Sequence, residues 1–97
     1  MQAAEVILYV TDYCGYCAMA KRLLTQKQAR FTQINVEARD DLRAWLVEAS
    51  GQRTVPQIFI NGKSIGGFSE LAALDRKGEL DALLGEAPSA DAPALPR

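Results

Sequence analysis

Apolar and polar positions along the chain change period several times, and each change marks an element. Val6 to Val10 is an unbroken apolar, β-branched run, the pattern of a strand covered on both faces. From about Gly15 to Gln28 the residues Ala20, Leu23 and Leu24 recur at helical spacing while Lys21, Arg22 and Lys27 face water, which predicts an amphipathic helix. Phe31 to Val36 reads as a second strand, more polar and so nearer an edge. Leu42, Trp45, Leu46 and Ala49 mark one face of a second helix, opened by Asp40 and Asp41 where the macrodipole favours acids and ended by Gly51. Gln57 to Ile60 is a short apolar strand, Asn61-Gly62 is a strong hairpin signal, and a return strand runs from Lys63 to about Gly66. Leu71 and Leu74, then Leu80, Leu83 and Leu84, supply the buried faces of two closing helical stretches with a break at Gly78. Beyond Leu84 the chain turns to Ala, Pro, Ser and Asp. The pattern therefore predicts one domain over 1–84 and a flexible tail with little fixed structure over 85–97.

The first strand, helix and second strand form a β-α-β unit with a right-handed crossover. Followed by helix, hairpin and helix, this is the organisation of the thioredoxin-like α/β fold, a four-stranded mixed sheet flanked by helices in the order β-α-β-α-β-β-α. The 97 residues are 48% apolar, enough for one modest core. Net charge is −1 with acids and bases interleaved, which gives no sign of nucleic-acid or anionic-membrane binding. No apolar run approaches membrane-spanning length, and the opening Met1-Gln2-Ala3-Ala4-Glu5 lacks the basic and apolar regions of a secretory signal. Without histidine, catalysis by an imidazole base is excluded.

The only two cysteines stand in Cys14-Gly15-Tyr16-Cys17, directly after the first strand. This puts Cys14 beside the unpaired N–H groups of a helix N-terminus, where a thiolate is favoured. Lowering a thiol pKa from about 8.5 to about 5 raises the thiolate fraction roughly 30-fold at neutral pH and costs roughly 40-fold in intrinsic nucleophilicity. The remaining gain is as a leaving group, which describes a sulfur that accepts a group from a disulfide and then gives it up. A zinc site within the chain would need carboxylates to complete four ligands, and a structural disulfide closing so small a loop constrains little. A CxxC in the reducing cytosol, the compartment expected here, is more often catalytic than structural.

Three motifs together resemble the small dithiol glutaredoxins over roughly Val6 to Leu84: Cys14-Gly15-Tyr16-Cys17, Thr54-Val55-Pro56-Gln57-Ile58-Phe59-Ile60 and Gly66-Gly67-Phe68-Ser69-Glu70-Leu71. The resemblance implies a glutathione-dependent thiol–disulfide oxidoreductase with Cys14 as nucleophile and Cys17, the more buried thiol, as resolving residue. Its substrates would be glutathionylated or disulfide-containing proteins. It implies a cis peptide bond before Pro56, with Thr54, Val55 and Pro56 beside the bound tripeptide and the Val55 backbone open to an extended peptide. Phe68 and Ser69, after Gly67, would take the γ-glutamyl carboxylate, Glu70 the ammonium, Arg43 the glycine carboxylate, and Tyr16 would flank the cysteinyl moiety. A helix cap and solvated charges are the plainer readings of Glu70 and Arg43.

Two positions depart from the family pattern. Thr11 stands where a lysine is common, which removes a cation that would favour the thiolate and the tripeptide. Gly15 stands where proline is common, and similar loops occur in members that hold a [2Fe-2S] cluster through the first cysteine of two protomers. Nothing in the sequence argues against a monomer, a dimer is expected only with a cluster, and two other roles stay open. One is a cluster carrier using Cys14, the other a redoxin reduced by thioredoxin reductase or another low-molecular-weight thiol.

Overall fold

The computed structural model describes residues 3–97, so Met1 and Gln2 of the opening segment lie outside it. Four strands form one sheet: β1 (Val6–Val10), β2 (Thr32–Asn35), β3 (Gln57–Ile60) and β4 (Lys63–Gly66), in the order β2-β1-β3-β4. β1 pairs in parallel with β2, as a crossover through a helix requires, and antiparallel with β3. The hairpin β3–β4 turns on Asn61 and Gly62, both with positive φ (52° and 82°), the conformation that this pair of residues supplies most cheaply. This is the thioredoxin-like fold expected from the sequence.

The helices are α1 (Gly15–Gln26), α2 (Asp40–Ser50), α3 (Phe68–Arg76) and α4 (Leu80–Gly85). The strand period of two divides the core between the faces of the sheet. Val6, Leu8, Val10, Ile58 and Ile60 face α1, α3 and α4 and meet Cys17, Ala20, Leu24, Leu71, Leu80 and Leu84. Ile7, Tyr9 and Phe59 face α2 and meet Val36, Leu42 and Leu46, with Trp45 partly buried among them. All five residues of β1 are buried, as a central strand demands. The edge strand β2 is mostly exposed. Lys27, just past α1, pairs with Asp75 at 2.6 Å and Asp81 at 3.1 Å, tying α1 to the two closing helices.

Four details differ from the sequence pattern. α1 stops at Gln26 and α3 begins at Phe68, one residue ahead of the Ser69-Glu70 start. Ala49, expected on the buried face of α2, is exposed. A single methyl group carries too little apolar area for helical spacing to decide its side. After Gly85 there is no helix or strand, yet the chain returns to the body: Leu95 packs on the α2-side cluster and Pro93 covers Gly62.

Candidate functional site

Because β1 runs antiparallel to β3, and β3 to β4, three loops meet at one end of the sheet. They are the segment leaving β1, the segment entering β3, and the segment leaving β4. A bulge helps to aim the last. Phe59 pairs with Ser64 and Ile58 with Gly66, so Ile65 is an extra residue that turns the end of β4 toward the other loops.

Cys14 is the N-cap of α1, with extended backbone, and its Sγ accepts the Cys17 N–H at 3.1 Å. The expected placement of this sulfur at the helix N-terminus is therefore realised. Cys14 and Cys17 are joined as a disulfide, their Cα atoms 5.2 Å apart. Cys17 is 2% exposed within the core, whereas Cys14 is partly buried and reaches the surface. The loop that presents Cys14 is pinned from β2: Asn35 Nδ2 donates to Asp12 Oδ1 at 2.8 Å, and the Asp12 N–H donates to Glu37 Oε1 at 3.1 Å. Lys21 reaches Gln33 Oε1 at 3.2 Å on β2.

The segment entering β3 contains a cis peptide bond between Val55 and Pro56. The Val55 carbonyl oxygen lies 3.8 Å from Cys14 Sγ. Opposite, Gly66 has φ +115°, and a Cβ there would fall 2.6 Å from Glu70 Oε1, so only glycine fits. Glu70 Oε1 accepts the Gly67 N–H at 2.6 Å, closing the first turn of α3.

Between these segments lies a groove of about 480 Å³ lined by Tyr16, Gln52, Thr54, Val55, Pro56, Gly67, Phe68, Ser69 and Glu70. All the residues singled out from sequence for tripeptide contact, Arg43 excepted, line this one groove. The Tyr16 and Phe68 rings stack across its edge with centroids 6.4 Å apart. Arg43 lines an adjoining hollow of about 220 Å³ with Arg53, and the two hollows share Gln52, Thr54 and Val55.

Sequence reasoning missed Gln57. It is fully buried, and its Nε2 donates to Gln52 Oε1 at 2.9 Å and to the Thr54 carbonyl at 2.8 Å, fastening the loop that forms one wall of the groove. The available signal was a lone amide in an otherwise apolar strand, directly after a proline. Gln52 and Arg53 were also missed, as ordinary polar residues of a loop.

A model of the glutaredoxin family matches residues 6–65. The chain belongs to the glutaredoxin family. Among its relatives, a glutaredoxin of Pseudomonas aeruginosa is 46% identical over 79 residues, covering 81% of this chain and 94% of the relative. Glutaredoxin 3 of Escherichia coli is 42% identical over 81 residues, covering 84% and 98%. In three dimensions the chain is similar to a buckwheat glutaredoxin crystallised as its glutathione complex, with a TM-score of 0.77, 38% identity, and coverage of 81% of this chain and 74% of that one. Glutaredoxins are thiol–disulfide oxidoreductases, and the Cys14–Cys17 pair at the groove is the redox centre that this role requires. No helix among the described residues is long and apolar enough to cross a membrane.

Proposed function

We propose that this glutaredoxin is a glutathione-dependent oxidoreductase that reduces protein–glutathione mixed disulfides and protein disulfides. The observation that carries the reading is the position of Cys14, at a helix N-terminus and beside a groove lined by the residues that glutathione would contact. Likeness to the buckwheat glutathione complex supports it.

In the reduced protein the Cys14 thiolate, stabilised by the Cys17 N–H and the N-terminal end of α1, attacks the glutathione sulfur of a glutathionylated protein. The S–S bond breaks, the protein sulfur leaves as a thiolate and takes a proton from solvent, and Cys14 holds glutathione as a mixed disulfide. A second glutathione thiolate attacks that glutathione sulfur, releasing oxidised glutathione and the Cys14 thiolate. With a protein disulfide, the Cys14 thiolate first attacks one substrate sulfur and releases the other as a thiolate; Cys17 then attacks Cys14, the remaining substrate sulfur leaves as a thiolate, and the internal bridge that closes is reopened by two glutathiones, which leave as oxidised glutathione. The groove orients the tripeptide. Phe68 and Ser69 N–H groups in the first turn of α3 take the γ-glutamyl carboxylate, and Glu70 takes the ammonium. The Val55 backbone pairs with the cysteinyl residue as one strand adds to another. Arg43 draws the glycine carboxylate toward the adjoining hollow.

The test is the initial rate of deglutathionylation of a glutathionylated peptide with NADPH, glutathione and glutathione reductase. Cys14→Ser is expected to lose all turnover, while Cys17→Ser keeps most of it, because the mixed disulfide needs one sulfur only. Appreciable turnover by Cys14→Ser overturns the assignment. A nearly inactive wild type moves the function to another reductant or to a cluster-carrying role.

A further inference from the structure

On the face of the sheet that packs against α2, the rings of Tyr9, Trp45 and Phe59 form a mutual cluster with centroids 5.4–5.6 Å apart. The helix does not cover this cluster alone. Leu95 packs on it, Tyr9 Oη donates to the Pro96 carbonyl at 2.6 Å, and Pro93 lies against Gly62 so closely that a Cβ at Gly62 would be 2.7 Å from the proline ring. Arg97 adds an exposed ion pair with Glu5 at 3.5 Å. Tyr9 is 0% exposed, so its hydroxyl, 2.6 Å from Pro96, is kept from water with the tail in place.

The docked segment is Pro93-Ala94-Leu95-Pro96-Arg97. Each proline fixes its own φ and biases the residue before it, Ala92 and Leu95, toward extended backbone, so the segment loses little entropy on binding. Its contacts are those by which aromatic-lined surfaces hold proline-containing peptides: an aliphatic side chain on the rings and a phenolic hydroxyl on a proline carbonyl. Burial also pushes the Tyr9 phenol above its ordinary value, against the opposing Arg97 charge.

From this we infer that the Tyr9–Trp45–Phe59 face is a second binding site, distinct from the redox groove, for an extended Pro-x-Leu-Pro peptide, and that the chain's own residues 93–97 occupy it in cis. A short flexible tether holds such a segment at an effective concentration on the order of mM, so an outside peptide competes only after the tether's grip is weakened.

The experiment follows the emission of Trp45, the one tryptophan of the 97-residue chain. Leu95→Asp should release the segment and move the emission to longer wavelength, and the milder Leu95→Ser should move it the same way. Turnover in the redox assay stays unchanged, since neither variant touches the groove. Adding the free peptide Ala-Pro-Ala-Leu-Pro-Arg, residues 92–97, to Leu95→Asp should restore the wild-type emission saturably, and the same peptide carrying Asp for the leucine should not. Variants with the wild-type spectrum, or a shift that the peptide fails to reverse, overturn the inference.

Discussion

At Glu70 one carboxylate both caps the first turn of α3, through the Gly67 N–H at 2.6 Å, and stands in the wall of the groove. An ionised carboxylate has about four lone-pair sites, so the cap leaves acceptor capacity for a ligand ammonium. The two roles separate by substitution. Glu70→Gln keeps an oxygen for the cap and loses the charge, so KM for glutathione should rise about tenfold, equivalent to about 1.4 kcal/mol, with the melting temperature near wild type. Glu70→Ala should lose the cap as well, lowering stability by about 1 kcal/mol and the melting temperature by about 4–8 °C. Steady-state kinetics and thermal melts on the two variants check both statements. Cys14, Cys17 and the groove residues other than Gln52 were legible in the sequence because each belongs to a short motif with its own chemistry. Gln57 was not, because its contribution arises from contacts to Gln52 and Thr54 that no periodicity encodes.

Among the elements, β3 and the loop before it act as one unit. The Gln57 amide crosslinks that loop from beneath, while its own Oε1 is buried with no hydrogen-bond partner among the described residues. An unmatched buried acceptor costs roughly 1–3 kcal/mol, which offsets part of what the Nε2 bonds contribute. Gln57→Leu should therefore change stability by less than the loss of two bonds suggests, within about 2 kcal/mol. It should still raise KM for glutathione more than it lowers kcat, because the loop wall loosens while Cys14 stays in place. Equal losses in both parameters would argue against this reading. Strands, helices and the hairpin were readable from apolar spacing and from Asn61-Gly62. The bulge at Ile65 was not, since it depends on pairing across β3 and β4.

For the whole molecule, the two faces of the sheet carry different duties, and pH should expose the one that Tyr9 serves. Its phenol is raised in the folded state above the ordinary value of about 10 kept in the unfolded chain. Between these values the native state holds a proton that the unfolded state has lost, so stability is intact below about pH 10 and falls as pH climbs through the native pKa. Tyr9→Phe should cost about 1 kcal/mol at neutral pH, from the lost bond to Pro96, and should flatten the alkaline decline. Denaturant titrations at about pH 8 and about pH 11 measure both effects. The tail was the least legible part of the chain. Its composition is that of a disordered linker, and the surface that receives it is assembled from β1, α2 and β3, far away in sequence.

Cys17 is sealed within the core while its partner reaches the surface, so of the two sulfurs only that of Cys14 is open to what arrives from solution. The fold thus works as a turnstile. Two groups of the same kind are set apart by access and by the helix N-terminus that only Cys14 caps.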